Sequence, residues 1–295
     1  MAPAHRTLGV DIGNSGLRIA ELEPTNDSLR LSQRISWLPS IAASDTASAS
    51  EQRIKPTSER RAESSAMRYR PDSPEWLETL ESLLLSLGLG DSIAWIVSSV
   101  RRDALALLEK FVNARTGDQL QIVTRHDLPL YVDVLEPDKV GIDRLLAASA
   151  AASMFADRPL IVMQAGSALT VDLVCPPNTF CGGAILPGVP MMLRLLGQAA
   201  DLLPQIDAAE ITELPQLPGR NTEQAMRCGT ASALVGGAQH VIDRYRQNFG
   251  AETLIVLSGG DGMRLAQHLT PPMQVVPDLV LRGLLPLAAK KLLPE

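Results

Sequence analysis

The amino-acid sequence predicts an α/β protein built from two related domains around a cleft. A short pattern occurs twice, first at Leu8–Ile19 and again at Leu160–Asp172. Each copy has an apolar run, a polar side chain, a glycine two residues later, a small polar turn and then alternating residues. This pattern is typical of a strand, a tight turn and a returning strand. Two such hairpins indicate a duplicated domain, and the helices and strands that alternate after each hairpin indicate the α/β class.

In the first half, apolar strands alternate with helices whose apolar side chains share one face. Serine, alanine, arginine and glutamate dominate residues 44–74, which lack apolar periodicity. We expect an exposed, partly flexible insertion there, which is either a surface loop or a docking segment. The predicted elements are strands at Leu8–Ile12, Leu17–Leu22, Leu29–Trp37, Ile93–Val97 and Leu120–Val123, and helices at Glu75–Leu87 and Asp103–Thr116.

The second half repeats this plan, so the sequence divides into domains 1–138 and 139–295. The periodicity predicts long helices before and after a second set of strands. The predicted helices are Ile142–Phe155, Pro190–Asp201, Thr222–Tyr245, Gly262–His268 and a closing helix from Val280, and the predicted strands are Leu160–Gln164, Leu169–Val174, Gly183–Leu186, Thr253–Leu257 and Gln274–Val276.

Composition and charge exclude several classes of protein. The chain has 295 residues and 45% of them are hydrophobic, which is enough for two cores. A net charge of -6 and a pI near 5.3 argue against nucleic acid as the main partner. No apolar run approaches the roughly 20 residues that span a bilayer, and no signal peptide is recognisable, so we expect no membrane partner and a cytoplasmic location. Cys175 and Cys181 flank a short turn and are expected to be two buried thiols or a disulfide.

The turn of the first hairpin is a candidate phosphate site. Gly13, Asn14 and Ser15 follow Asp11 at the end of the predicted strand. On its own this is equally an ordinary hairpin turn, because Gly-Asn is a common turn dipeptide. In the functional interpretation, backbone N–H groups at the turn hold phosphate and the Asp11 carboxylate holds Mg²⁺ through waters. A facing turn from the second hairpin would complete a nucleotide-phosphate site.

The start of the helix at Ile142 is a candidate catalytic centre. It carries Asp143 and Arg144 directly after Gly141. Asp143 could simply stabilise the helix N-terminus, where a carboxylate is favourable. Alternatively, Asp143 is a general base and Arg144 holds a substrate carboxylate, since the guanidinium suits bidentate contacts. That pair would fit a small anionic substrate with a hydroxyl group to phosphorylate.

Two further glycine-rich segments, Gly182–Gly188 and Ser258–Gly262, are either plain turns or ligand contacts. The second follows a strand and opens a helix, where nucleotides often bind. The sequence contains no Gly-x-x-x-x-Gly-Lys-Ser/Thr segment, which excludes a P-loop, and no complete Gly-x-Gly-x-x-Gly. The histidines have no metal or triad spacing: His5, His126, His240 and His268.

Taken in order, these motifs resemble those of the type III pantothenate kinases, relatives of the Bvg accessory factor proteins. The resemblance covers nearly the whole chain except 44–74, and eight motifs in one order are far more specific than any one alone. The motifs are Asp11–Ser15, Ser98–Val100, Gly141–Arg144, Gln164–Asp172, Gly182–Gly188, Gly219–Thr222, Gly259–Gly260 and Leu279–Leu284.

The resemblance implies a duplicated actin-like, ribonuclease H-like fold and ATP-dependent phosphorylation of pantothenate, the first step towards coenzyme A. It also implies a homodimer whose interface completes the pantothenate site. Asp143 would be the catalytic base and Asp11 a water-mediated Mg²⁺ ligand. The implied ATP-binding residues are Asp11, Ile12, Gly13, Asn14, Ser15, Gly16, Leu17, Arg18 and Ser167. The implied substrate-binding residues are Gly141, Ile142, Asp143, Arg144 and Thr222.

The sequence departs from the family pattern at a few positions. Gln164 stands where the family has an aspartate that helps to bind a monovalent cation, K⁺ or NH₄⁺. Ser167 replaces a threonine, and Val134 stands where a substrate-side tyrosine is expected; Tyr131 is three residues away. A second hypothesis is therefore a catalytically weakened homologue that binds nucleotide and acts as a regulatory or interaction protein. Asp11 and Asp143 favour the enzyme.

Overall fold

The computed structural model describes residues 6–37, 68–90, 92–206 and 217–291. Two six-stranded sheets form its framework. The elements of the first half are strands β1 Arg6–Gly13, β2 Gly16–Glu23, β3 Ser28–Trp37, β4 Arg68–Tyr69, β5 Ile93–Ser99 and β6 Gln119–Ile122, and helices α1 Glu75–Ser86 and α2 Arg102–Asn113. Their order in the sheet is β4-β3-β2-β1-β5-β6.

The second sheet repeats this arrangement. Its strands are β7 Tyr131–Val132, β8 Leu160–Ala165, β9 Ala168–Cys175, β10 Thr179–Pro187, β11 Leu254–Ser258 and β12 Met273–Val275. The helices of this half are α3 Ile142–Met154, α4 Val189–Ala199, α5 Thr222–Phe249, α6 Gly262–Ala266, α7 Leu279–Arg282 and α8 Leu285–Lys291. The order β12-β11-β8-β9-β10-β7 places β8 and β9 where β1 and β2 lie in the first sheet.

The hydrophobic core has three parts, which follow from the two sheets. One part lies between the first sheet and the helices α1 and α2, around Trp76 and Trp95. A second lies between the other sheet and the helices α5 and α6. The third lies between the sheets, where α3, α7 and α8 contact apolar side chains from both, including Ala20 and Val162. The molecule is therefore a stack of helices, sheet, helices, sheet and helices.

Most of the predicted strands and helices are confirmed within a few residues. The closing helix predicted from Val280 is instead two short helices, with Gly283 between them. A Cβ atom on Gly283 would lie 2.5 Å from the Leu146 carbonyl oxygen, so the chain approaches α3 too closely for any larger residue. Two edge strands, β4 and β7, were not predicted, and each pairs over only two residues.

The predicted insertion lies mainly outside the described residues. Its last part, 68–74, is described and begins with β4, which pairs in parallel with β3. β7 precedes the predicted boundary at residue 138, yet it pairs with β10 of the second sheet. The chain thus passes from one sheet to the other between β6 and β7. In the part of the chain that the structure describes, no helix has the length and apolar character to cross a membrane.

Candidate active site

The turns of the two repeated hairpins meet across the cleft. The Ser15 and Ser167 hydroxyl groups, one from each turn, form a hydrogen bond. Nearby, Arg18 Nη1 of the first domain lies 3.6 Å from Asp278 Oδ1 of the second. The prediction that the two turns face each other is therefore confirmed. Hydroxyl groups from both halves of the chain therefore meet at this point.

Trp37 at the end of β3 holds the first turn in place. Its indole N–H donates to the Gly13 carbonyl and its backbone N–H donates to the Ser15 carbonyl, each at 3.0 Å. Ile12 and Leu17 are fully buried in the core below the turn. Their side chains therefore face away from the cleft, and only their backbone groups are available to a nucleotide.

The glycine-rich turn after β11 forms a third wall. Gly259 has a φ of 97°, and a Cβ atom there would lie 2.1 Å from the Ala165 carbonyl oxygen. Only glycine tolerates both the left-handed backbone and this close approach. Arg34 of β3 reaches the same turn, because its Nη1 lies 3.9 Å from where a Gly260 Cβ would be. The turn thus brings an arginine of the first domain to the second hairpin.

Asp11 is a buried carboxylate at the end of β1. The Ser98 hydroxyl on the neighbouring strand β5 donates to its Oδ1 at 3.1 Å. Burial, and then the negative charge of Asp143, raise the pKa of Asp11 to about 6, against the pull of Arg18 and Ser98. Two carboxylates of this cleft therefore repel each other, which a divalent cation between them and a nucleotide would relieve.

Asp143 lies in the first turn of α3 and is half-buried. The backbone N–H of Arg144 donates to its Oδ1 at 2.9 Å, while the Gly141 carbonyl accepts from the N–H groups of Arg144 and Leu145. Burial raises the pKa of Asp143. The two predicted roles of Asp143 are compatible, because Oδ1 accepts from the backbone of the helix while Oδ2 can face a substrate.

Arg144 is bound to a buried carboxylate rather than free in the cleft. Its Nε lies 3.2 Å from both oxygens of Asp172 on β9, and its Nη2 also donates to Asp172. The guanidinium carbon lies 5.4 Å from the centre of the Phe180 ring. One edge of the Arg144 guanidinium, predicted to bind a substrate carboxylate, is therefore already bound to Asp172.

Gln164 occupies in β8 the position that Asp11 occupies in β1. Its side-chain amide donates to the Asp143 backbone carbonyl at 3.4 Å. Gln164 offers a neutral carbonyl oxygen and an amide N–H₂ where an aspartate would supply a negative charge. The charge that the family's aspartate would bring to a monovalent cation is therefore missing at Gln164.

Thr222, a predicted substrate residue, begins α5 directly after the cap residue Asn221, whose side chain accepts from the Gln224 N–H at 2.8 Å. Thr222 is exposed. Among the described residues, no hydrogen bond or ion pair links it to the cluster around Asp143. Val134 lies near Gly182: a Cβ atom on Gly182 would be 3.4 Å from the Val134 side chain.

A magnesium ion is compatible with the donors in the cleft. Within the described ranges, no three His, Cys, Asp or Glu side chains are grouped to hold a metal. Magnesium is usually held by one or two carboxylates, waters and the phosphates of its nucleotide, so a larger cluster is not required. Asp11 is a carboxylate of this cleft that would suit such an ion. The cysteines of the nearby β9–β10 hairpin, Cys175 and Cys181, are thiols rather than a disulfide.

Solved structures with the same overall arrangement identify the fold. An activator of 2-hydroxyisocaproyl-CoA dehydratase from Clostridium difficile, with bound ADPNP, is 11% identical with a TM-score of 0.52, covering 98% of both chains. The ethanolamine utilization protein EutJ from Carboxydothermus hydrogenoformans is 11% identical with a TM-score of 0.51, covering 96% of this chain and 90% of that one. This protein is a two-domain α/β protein with the duplicated actin-like fold, as predicted.

Sequence comparison then identifies the family. Residues 7–244 match the family model of type III pantothenate kinase. A type III pantothenate kinase from Rhodopirellula baltica is 41% identical over 173 residues, which are 57% of this chain and 62% of that protein. One from Rhodospirillum rubrum is 33% identical over 227 residues, 76% of this chain and 86% of that protein. The chain belongs to the type III pantothenate kinase family, which confirms the resemblance seen in its motifs.

Several contacts of the site were not predicted. In the sequence, Asp172 is the last residue of a motif with no sign that it pairs with Arg144, and nothing marks Phe180 or Trp37 as parts of the site. Asp172 and Arg144 are 28 residues apart in the chain and on different elements. Only the packing of α3 on the second sheet brings them together, and a single sequence has no signal for that pairing.

Proposed function

We propose that this protein phosphorylates pantothenate with ATP, giving 4'-phosphopantothenate and ADP, the first step of coenzyme A biosynthesis. Such an enzyme is a phosphotransferase with an alcohol group as acceptor. The observation that carries the proposal is the half-buried Asp143 carboxylate, which lies beside Asp11 and next to the two facing hairpin turns. Membership of the type III pantothenate kinase family supports the same substrate.

In this proposal Asp143 accepts the proton of the substrate hydroxyl. The hydroxyl oxygen then forms a bond to the γ-phosphorus as the bond to the ADP oxygen breaks. A base with a pKa raised towards the working pH is favourable for this step, and burial raises that of Asp143. Arg144 would bind the pantothenate carboxylate, with Gly141 and Ile142 forming the adjacent wall.

The nucleotide would bind between the two hairpin turns. Gly13, Asn14 and Ser15 on one side and Ser167 on the other offer backbone N–H and hydroxyl groups to the phosphates. Arg18 would balance phosphate charge, while Gly16 and the backbone of Ile12 and Leu17 shape the turn. Asp11 would hold Mg²⁺ through waters, and the ion would neutralise charge on the transferring phosphoryl group.

A monovalent cation, K⁺ or NH₄⁺, is part of the family pattern. Gln164 removes the negative charge from that position, and its amide is directed at the Asp143 carbonyl. We infer that the reaction of this protein depends less on such an ion, because the amide N–H₂ supplies a fixed donor instead.

We propose a homodimer in the cytoplasm, with the pantothenate site completed by the partner subunit. Thr222 is exposed and lies outside the Asp143 cluster of its own chain, as expected for a residue that acts across an interface. Large exposed apolar side chains of the second half would be buried by such an interface: Ile185, Met191, Leu195, Leu196, Leu202 and Leu217.

The test is a coupled assay of ADP release by purified protein with ATP and Mg²⁺, with and without pantothenate. Mass spectrometry of the product should show one added phosphate on pantothenate. ADP release that does not depend on pantothenate would contradict the proposal. Nucleotide binding without any phosphorylated product would favour the alternative of a weakened regulatory homologue.

A further inference from the structure

Asp172 forms a largely buried ion pair with Arg144, and such a pair is weak evidence for stability. Its side chain is 0% exposed and that of Arg144 is 14% exposed. Removing two charges from water is costly, and replacing such pairs by apolar residues is often neutral or stabilising. A buried pair at the edge of the candidate active site therefore points to a role in orienting one of its members.

The surrounding strands are shaped to hold this pair. Gly183 lies directly opposite Asp172 in the register of β9 and β10. A Cβ atom on Gly183 would lie 2.2 Å from Asp172 Oδ1, so any larger residue would displace the carboxylate. Phe180 of the same strand lies against the guanidinium of Arg144. Asp172 and the Phe180 ring thus fix the plane of the guanidinium, and Gly183 leaves room for the carboxylate.

The contacts leave a defined part of the guanidinium unused. A guanidinium has five N–H donors, one on Nε and two on each terminal nitrogen. Asp172 takes the Nε edge together with one N–H of Nη2. In the described part of the chain, Nη1 makes no hydrogen bond. The end formed by Nη1 and the second N–H of Nη2 can therefore bind another carboxylate with two hydrogen bonds.

We propose that Asp172 is a positioning residue that orients Arg144 for the carboxylate of the substrate. This inference rests on the proposed function, in which Arg144 binds that carboxylate. The pair as a whole carries no net charge, so recognition depends on the direction of the two remaining N–H groups rather than on attraction alone. Asp172 thereby selects a planar carboxylate over a neutral group at that end of the substrate.

The experiment compares Asp172→Asn with a matched control elsewhere in the full-length protein. The Asp118 side chain is also fully buried and paired with an arginine, Arg115, at 2.9 Å, but it lies just before β6 in the first half of the chain and accepts from the Trp95 indole. Asp172→Asn should raise the pantothenate Kd and KM roughly 10- to 100-fold, as misplaced binding groups do, with the ATP KM unchanged. Asp118→Asn should lower the melting temperature and leave the pantothenate Kd as in the wild type.

Two further measurements separate positioning from general damage. In an Arg144→Ala background, Asp172→Asn should cause no further loss of pantothenate affinity, because Asp172 acts only through Arg144. Panthenol, the alcohol analogue without a carboxylate, should bind equally weakly to the wild type and to Asp172→Asn. An additional loss in either case would overturn the proposed role.

If Asp172→Asn does not fold, Phe180→Leu provides the test. It removes the ring beside the guanidinium and should weaken pantothenate binding with ATP binding unchanged. Pantothenate binding equal to the wild type, in whichever variant folds, overturns the role of Asp172 while leaving a pantothenate kinase in place. A wild-type protein that neither binds nor phosphorylates pantothenate overturns the proposed function, and this inference with it.

Discussion

The two hairpins occupy equivalent places in their sheets but carry different chemistry. Asp11 of the first lies opposite Ser98 on the parallel neighbour β5, and Gln164 of the second lies opposite Ser258 on β11. In the first hairpin the serine hydroxyl donates to the carboxylate. In the second, the amide of Gln164 is directed at the Asp143 carbonyl. The two hairpins thus share their place in the sheet, while this position carries a carboxylate in the first and a neutral amide in the second.

Asp143 interacts with both hairpins, so its replacement should have the largest effect. Its charge acts on Asp11 and its carbonyl accepts from Gln164. Asp143→Asn should reduce turnover by about 10² to 10⁴, because an amide cannot accept the substrate proton. Turnover is measured in the coupled assay, and size-exclusion chromatography checks that the oligomeric state is retained. A variant with more than half of wild-type turnover would exclude Asp143 as the base.

Asp11→Asn replaces the carboxylate of the first hairpin by a neutral amide, as in the second. It should lower the activity and raise the stability. In the ligand-free folded chain the pKa of Asp11 is about 6, whereas an unfolded aspartate has a value of 3.8. The folded state therefore binds the Asp11 proton more tightly than the unfolded state does. As the pH rises from about 4 through 6, Asp11 lowers the free energy of unfolding. At pH 7.5 the asparagine should raise the free energy of unfolding by up to about 3 kcal/mol.

Thermal unfolding in a chelating buffer at pH 4.5 and 7.5 measures this effect, together with phosphorylation in Mg²⁺. The stability advantage of Asp11→Asn should be present at pH 7.5 and should shrink at pH 4.5, where the wild-type carboxyl group is protonated. Activity should fall with the loss of the carboxylate. An asparagine variant less stable than the wild type at pH 7.5 would contradict the electrostatic cost assigned to Asp11.

Gln164→Asp makes the second hairpin acidic like the first, with a smaller expected effect. The carboxylate should create or strengthen activation by K⁺, since the negative charge required to hold the ion is restored. Initial rates and melting temperatures are followed against K⁺ at constant ionic strength, with tetramethylammonium as the balancing ion. Gln164→Asn, which is shorter but neutral, is the control. Strong K⁺ activation of the wild type, unchanged in the Asp variant, would refute this account.

The smallest effect is expected at the edges of the sheets, where β4 and β7 occupy matching positions. Deleting 44–67 with a short Gly/Ser linker should leave activity and melting temperature close to the wild type, because that sequence lacks apolar periodicity. Deleting 44–74 also removes β4 and the hydrogen bond between Tyr69 and Thr79, and should lower the melting temperature. Equal stability of the two deletions would show that β4 contributes nothing.

The sequence predicted the fold well because most elements are long enough to show a period. The spacing of apolar residues is typical of a single type of element in the repeated hairpins, in the helix at Glu75 and in the strand at Ile93. β4 and β7 pair over two residues each, which is too short for any pattern. The break at Gly283 depends on contact with Leu146, which the local sequence does not reveal.

The candidate site was predictable in part for a similar reason. Asp11, Asp143 and the turns lie in compact motifs, so their proximity follows once the two hairpins are known to face each other. The partner of Arg144 was not predictable, because Asp172 meets it only through the packing of a helix on a sheet. Long-range polar pairs of this kind leave no periodic pattern in a single chain.

The helices between the two sheets have a consequence for how the protein unfolds. Because α3, α7 and α8 contact apolar side chains from both sheets, neither half buries its inner face alone. Calorimetry should record one cooperative transition, with equal calorimetric and van't Hoff enthalpies, despite the internal repeat. Fragments 1–138 and 139–295 produced separately should aggregate through that uncovered apolar face. We therefore expect the two halves to unfold as one cooperative unit.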